Sequence, residues 1–246
     1  MSEELILFDL PSKDEAGNKA WSGNTWKARI VLNYKSIPYR TQWIEYPDIA
    51  PTFASYGIPP NPASTKEFAY TVPVVKFPNG DYLMQSYAIA QKLEELWPSP
   101  SLHLESGSYD KAIAALSKIG SALIPETRPW VPRNILNPAS IEYFERTRSA
   151  QLGMPLEDLL KSDKAGETAW AAAEPGLQAL KAILTENSSG PYIDGDCVSY
   201  GDLILASNYA FMEMLHENLI KRLLGYDESI QRHYDACKKW LERSTF

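Results

Sequence analysis

The chain has 246 residues, 44% hydrophobic and 22% charged, close to average globular usage, which excludes disordered, collagen-like and coiled-coil classes and favours two modest domains. Its 24 basic and 31 acidic side chains leave a formal charge of −7, and with no basic cluster larger than Lys221-Arg222 or Lys238-Lys239, nucleic acid is not an expected partner. No run approaches the ~18 apolar residues of a bilayer span, and the acidic start Met1-Ser2-Glu3-Glu4 is unlike a basic targeting signal, so no membrane and a cytoplasmic setting are expected.

In chain order, the first 97 residues read as a mixed α/β unit. Leu5 to Phe8 form a short apolar run, a buried strand ended by Pro11 and a polar loop through Asn18. Trp26, Ile30, Val31 and Tyr34 then recur at helical spacing between Ser22 or Asn24, which can cap the start, and Pro38, which stops it. Tyr39 to Tyr46 is rich in aromatic and β-branched residues and reads as a second strand beside the first, completing a βαβ unit. From Pro47 to Thr65 five prolines allow only a loop with a turn or two of helix.

The runs 72–77 and 81–84 flank Asn79-Gly80, the strongest short-range hairpin signal. Pro73 cannot donate a ladder hydrogen bond, so its stretch is expected at an edge or bulge, leaving main-chain groups free for a peptide-like ligand. Ser86 caps a helix whose apolar stripe is Ile89, Leu93, Leu96 and Trp97, ended by Pro98-Ser99-Pro100-Ser101.

From Ser108 onward the pattern is helical. Ile113, Leu116, Ile119 and Leu123 form one stripe, Asn137-Pro138 opens a helix containing Ile141 and Phe144, and Leu177, Leu180, Ile183 and Leu184 form another stripe. Pro175 either starts that third helix or kinks a longer one from Glu167. Ser199 and Asp202 make a capping box with Val198 and Leu203 as its hydrophobic staple, and a last helix spans roughly 229–243.

Taken together, a βαβ half, a proline at the first strand of a ββ hairpin, a helix opening at Gln85-Ser86, a Pro/Ser linker and an all-helical half resemble the cytosolic glutathione transferases. Ser22-Gly23-Asn24-Thr25-Trp26-Lys27-Ala28-Arg29 is similar to that family's serine-type active-site helix start. Val72-Pro73-Val74 is similar to its cis-proline strand. The likeness is nearest to the fungal etherase-like branch, related to the lignin β-etherases, and more distant to the zeta class, whose motif has a cysteine where this chain has Asn24.

The resemblance implies a thioredoxin-like glutathione-binding domain over 1–97, a linker over 98–107 and an all-helical domain over 108–246. It implies a detoxification-type transferase in which a serine-stabilised glutathione thiolate attacks a small hydrophobic or aromatic electrophile, with reductive cleavage of aryl ethers favoured, and a homodimer. The implied catalytic group is Ser22, whose hydroxyl donates to sulfur at a helix N-terminus and so favours thiolate, with Asn24 the alternative donor. The implied glutathione-binding residues are Val72 and Pro73, which expose main-chain groups to the cysteinyl unit, and Gln85 and Ser86, which receive the γ-glutamyl end. Lys66, Tyr70, Thr71 and Arg40 are unranked candidates for the glycyl carboxylate.

Each residue also has a plainer reading. Ser22 and Ser86 alone are helix caps, and Pro73 alone is an edge-strand proline with a trans bond. Cys197 and Cys237, forty residues apart, supply neither a disulfide framework nor an active-site thiol and read as buried inert thiols. His103, His216 and His233 have no partner at ligand spacing, so no metal is expected. Trp21, Trp130, Tyr56 and Tyr109 are candidates for an acceptor pocket or core, and Arg128 either recognises an acidic substrate or pairs with Glu126. Two other functions remain open: a ligandin-type protein that sequesters hydrophobic molecules, and a docking module that uses the fold for regulation.

Overall fold

The computed structural model describes residues 4–13, 19–64 and 68–244. Strand β1 (Leu5–Asp9) is buried along its whole length, as a near-continuous apolar run in a sheet covered on both faces must be. Helix α1 (Gly23–Tyr34) returns the chain to β2 (Tyr39–Trp43), which runs parallel to β1 with Leu5 opposite Tyr39. After α2 (Ile49–Ser55), β3 (Val74–Lys76) and β4 (Tyr82–Met84) form the hairpin, closed where Phe77 N–H donates to the Asp81 carbonyl at 2.8 Å and Gly80 takes φ +92°. The sheet order is β2-β1-β3-β4, and α3 (Ser86–Leu96) follows. This is a thioredoxin-like domain.

The expectation that Pro73 lies in an edge strand is corrected. Strand β3 is interior, between β1 and β4, and it begins only at Val74. The missing proline N–H therefore costs no ladder bond, because Pro73 sits just before the ladder starts. The register matters for the site. Phe8 faces Val74 and Val74 faces Met84. The end of β1, the start of β3 and the end of β4 thus share one end of the sheet.

The helical domain comprises α4 (Ser108–Ala122), α5 (Ile124–Thr127), α6 (Pro138–Leu152), α7 (Leu156–Leu159), α8 (Glu167–Thr185), α9 (Tyr200–Leu215), α10 (Glu217–Leu224) and α11 (Glu228–Cys237). Pro175 lies inside α8, which is one helix, and Gly176 beside it lets α4 approach: a Cβ there would stand 2.8 Å from the Ile119 backbone nitrogen. The α4 face that is fully buried is Ala112, Ala115 and Ile119, with Ile113 and Leu116 at its margin. In α3, Leu96 is 45% exposed, so the buried stripe there ends at Leu93.

Two ionic arrangements tie the elements of the thioredoxin-like half together. Arg29 on α1 donates to Asp9 Oδ2 through Nη2 at 2.9 Å and also to Tyr39 and Thr41, all below the start of α1. Burial pushes the Asp9 carboxyl up, and Arg29 and the Leu10 amide pull against it. Lys35, just past α1, donates to Glu94 at 2.5 Å and to the carbonyls of Trp97 and Pro100, fixing the end of α3 and the connector.

The Ser199 box is present and its role is wider than a cap. Asp202 accepts from the Ser199 N–H at 2.8 Å and its hydroxyl at 2.6 Å, from Ile193 N–H at 2.8 Å, and lies 3.0 Å from His233 Nε2. His233 therefore has a carboxylate companion after all, supplied by α9 across 31 residues, a separation no local motif reveals. Cys237 lies 3.7 Å from the same Nε2 and is fully buried, whereas Cys197 is exposed, contrary to the expectation of two buried thiols. Cys197 stands in the irregular stretch before the capping box, on its exposed side beside Asp196, while Tyr192, Ile193 and Ser199 turn inward.

Candidate functional site

Ser22 ends the loop after β1 in extended conformation (φ −65°, ψ 116°), and its carbonyl accepts the first helical bond of α1 from Trp26 N–H at 2.8 Å. The amides of Gly23, Asn24 and Thr25 therefore have no acceptor within the helix. The Ser22 hydroxyl makes no cap bond, though the residue is buried. It has the position of a cap without the cap's hydrogen bond, which leaves it available to donate elsewhere. The loop is pinned on either side, since Trp21 Nε1 donates to the Pro11 carbonyl at 3.1 Å and Trp26 Nε1 to the Ala20 carbonyl at 3.2 Å. Asn24 is exposed and its Oδ1 accepts from Lys27 at 3.2 Å, an ammonium that burial pushes down.

The Val72-Pro73 peptide bond is cis. Outside the sheet ladder, Val72 makes no backbone hydrogen bond to any described residue. From β4 the chain passes through Gln85, a non-glycine residue at φ +81°, into α3. That conformation is sparsely populated and persists only where surroundings enforce it. Asn61 helps enforce it: its Oδ1 accepts from Gln85 Nε2 at 2.7 Å, while its own N–H and Nδ2 donate to the Ala69 and Phe68 carbonyls. Ile89 N–H donates to the Gln85 carbonyl, so the amides of Ser86, Tyr87 and Ala88 form a free first turn, and Tyr200 on α9 donates to the Ser86 carbonyl at 3.3 Å.

The shared sheet end brings Val72-Pro73 and Gln85-Ser86 together, and α1, which Ser22 precedes, starts from the same end because it returns the chain to a β2 parallel to β1. An anion-accepting amide turn, a hydroxyl at a second helix start and an extended main-chain segment beside them suit a peptide that carries both a carboxylate and a thiol.

Several other candidates lie away from this sheet end. Arg40 projects from the opposite end of β2 and sits 3.9 Å from Glu4. Thr71 uses its N–H on the Met84 sulfur, and Lys66 lies outside the described residues. Trp130 packs on His216 and Arg133, Tyr56 stacks on Tyr82 at 5.2 Å, and Tyr109 stacks on Tyr87 and Tyr200. Of the four aromatic candidates, Trp21 immediately precedes Ser22. A cavity of about 640 Å³ lined by Phe77, Tyr82, Leu83, Leu96 and Trp97 lies at the far end of β4 from Met84. Among the described residues no group of three or more His, Cys, Asp and Glu is arranged to hold a metal, and no helix is long and apolar enough to cross a membrane.

Sequence reasoning missed Asn61, whose signal was one residue in a proline-rich loop, and Phe211, whose ring stands where Gly23 allows α1 to approach α9. It also missed Tyr46 and Arg148, which meet only after the two halves dock.

A thioredoxin-like domain with this sheet end, joined to a helical bundle, defines the two-domain glutathione transferase class. Residues 21–96 match the family model described as Glutathione S-transferase, N-terminal domain, and residues 112–240 the one described as Glutathione S-transferase, C-terminal domain. The chain belongs to the glutathione S-transferase family. It is 31% identical to the glutathione S-transferase-like protein ustS of Aspergillus flavus, over 97% of this chain and 91% of that protein. Among solved structures it is similar to glutathione transferase GSTFuA3 from Phanerochaete chrysosporium, with TM-score 0.86, 30% identity and 98% of each chain covered. It is also similar to CsGST63524 of Ceriporiopsis subvermispora in complex with glutathione, with TM-score 0.85, 28% identity and 97% of this chain and 98% of that one covered.

Proposed function

We propose that the chain is an etherase-like glutathione transferase acting as a cytoplasmic homodimer, in which Ser22 stabilises the thiolate of bound glutathione. The observation that carries this reading is the register Phe8–Val74–Met84, which sets the cis Val72-Pro73 segment and the free first turn at Ser86 at the sheet end from which β1 leads to the Ser22 helix start. The likeness to a solved relative in complex with glutathione supports it. The γ-glutamyl carboxylate would take the Ser86 amides, with Gln85 beside it. The cysteinyl unit would exchange main-chain hydrogen bonds with Val72. The sulfur would then lie toward Ser22, with Asn24 the alternative donor.

A free thiol titrates near pH ~8.5, and a hydroxyl donor at a helix N-terminus lowers this by about one or more units. On an aryl ether the C–S bond forms as the C–O bond breaks, and the phenolate leaves to take a proton from water. A small acceptor's electrophilic carbon would react in the same way, which is the detoxification role proposed here. The division of labour follows the two halves, 1–97 holding glutathione and 108–246 shaping the acceptor side.

The test is the pH–rate profile of glutathione conjugation and phenacyl-ether cleavage for the wild type, Ser22→Ala and Asn24→Ala. Ser22→Ala should raise the apparent thiol pKa by about one unit or more, and Asn24→Ala should leave it in place. Unchanged profiles in Ser22→Ala would remove Ser22 from this role. Failure of the wild type to bind immobilised glutathione would favour the docking module, and binding without turnover of any electrophile would favour sequestration.

A further inference from the structure

A continuous aromatic floor leads away from Ser22 across the junction of the two halves. Trp21, the residue before Ser22, stands 6.5 Å from both Tyr46 and Phe211, ring centre to ring centre. Tyr46 stacks on Tyr143 at 6.0 Å with 14° between planes and meets Phe144 at 5.5 Å. Tyr46, Tyr143 and Phe211 are half-buried, so this floor is partly open.

Two guanidinium groups border its far side. Arg148 on α6 lies 4.6 Å from the Phe68 ring, 5.0 Å from Phe144 and 5.6 Å from Tyr46. Arg128 follows α5 and acts on the same Tyr46 phenol, which burial pushes up while Arg148 and Arg128 pull it down. Burial pushes the Arg128 cation down, Tyr46 opposes this and Arg148 adds to it. Among the described residues neither arginine has an ion pair. Three carboxylates of the surrounding elements are engaged elsewhere: Glu45 with Asn137 and Ser140, Glu126 with the Gly166 amide, and Glu142 with Arg146. The pairing of Arg128 with Glu126 that spacing allowed is thus not made.

Half-buried like charges without a counterion are unfavourable until an anion arrives, and the planar guanidinium fork suits a carboxylate or sulfonate. We propose that this partly open aromatic floor is an acceptor subsite selective for small aromatics bearing an anionic group, with the ring on Trp21, Tyr46 and Phe211 and the anion at Arg128 and Arg148. The proposal rests on the reading that Ser22 marks the reacting thiol, since that fixes which end of the floor faces the sulfur.

The test compares two fluorescent ligands that share their rings, anionic 1-anilinonaphthalene-8-sulfonate and neutral N-phenyl-1-naphthylamine, by equilibrium titration of the full chain. Arg128→Gln and Arg148→Gln should each weaken the sulfonate on the order of tenfold and leave the neutral ligand unchanged. Arg148→Lys should retain most of the preference. Arg128→Gln removes no side-chain hydrogen bond or ion pair of the described residues, so it carries the test if Arg148→Gln fails to fold. Unchanged sulfonate affinity, or equal weakening of both ligands, would overturn the proposal. Retention on immobilised glutathione is measured alongside. Loss of retention in the wild type would overturn the glutathione reading, while the difference between the two ligands would still decide the anion subsite.

Discussion

Gly23 is pressed against Phe211: a Cβ at Gly23 would stand 3.2 Å from the Phe211 Cβ and 3.6 Å from the Ser207 carbonyl oxygen. The absence of a side chain there lets the start of α1, and with it Ser22, lie against α9. A larger residue must lift that helix start or displace the ring. Gly23→Val is expected to lower conjugation turnover on the order of tenfold to a hundredfold, as displacements near 1 Å do in a positioned site. Combining it with Phe211→Ala should recover part of the loss. Steady-state kinetics of the two single variants and the double variant check this, and a double variant worse than Gly23→Val alone would contradict it.

Asn61 ties the loop before Val72 to Gln85 through one hydrogen bond and donates two more to the Phe68 and Ala69 carbonyls. Removing its side chain takes one support from a residue held at φ +81°, a conformation that costs about 1–3 kcal/mol. Asn61→Ala should therefore weaken glutathione binding by about tenfold or somewhat less while sparing turnover at saturation, because its partner Gln85 is proposed for the γ-glutamyl end and not for the sulfur. Calorimetric titration with glutathione, set beside kcat, separates the two effects. Equal losses in affinity and kcat would mean that Asn61 supports the whole domain instead.

The fold was legible because its signals are local and repeated. The Asn79-Gly80 turn, the helical spacing after Ser22 and the Ser199-to-Asp202 box each lie within a few residues, and all three form as read. Pro73 was misjudged because a proline beside a strand and one inside it read alike, and only the register shows that β3 starts one residue later. The cis bond came from the resemblance and not from the residues. His233 was misjudged because its partner is 31 residues away, and the Arg128–Arg148 pair because its members meet through Tyr46 of the other domain. Chemistry assembled by docking two domains leaves no periodicity to find.

The buried pair of Asp202 and His233 makes stability depend on pH. Burial alone would push the His233 imidazolium down, but the Cys237 sulfur and the Asp202 carboxylate outweigh it and raise it to about 10. Burial alone would raise Asp202, but His233, Ser199 and the Ile193 amide hold it below its ordinary value. A raised histidine contributes stability that is full below its unfolded pKa near 6.5 and is lost as pH climbs toward about 10. A lowered aspartate contributes stability that is full above about 3.8 and is lost on acidification. The pair therefore stabilises most between these values. Thermal melts from pH 4 to about 10 should show a decline above neutrality that His233→Gln abolishes. Asp202→Asn should cost roughly 3–5 kcal/mol near pH 6, having left a buried cation unpaired. Ser199→Ala, which removes one donor, should cost about 0.5–2 kcal/mol.

Two helical glycines should respond to alanine with opposite signs. At Gly176 a Cβ would stand 2.7 Å from Ile119 Cγ1, 2.8 Å from the Ile119 nitrogen and 2.9 Å from Lys118 Cβ. One of these is backbone, so α4 and α8 must separate rather than a side chain turn aside. Alanine gains about 1 kcal/mol in helix propensity, but overpacking of this kind costs typically 1–3 kcal/mol, and a backbone clash belongs at the upper end. Gly176→Ala should therefore lower the melting temperature. Gly120, on the exposed side of α4, has nothing within 4 Å of its would-be Cβ. Gly120→Ala keeps the propensity gain without the clash and should raise the melting temperature. Because the two substitutions are chemically identical and lie on neighbouring helices, a shared sign in the two melts would mean that propensity, and not the approach of α8 to Ile119, sets the stability of this bundle.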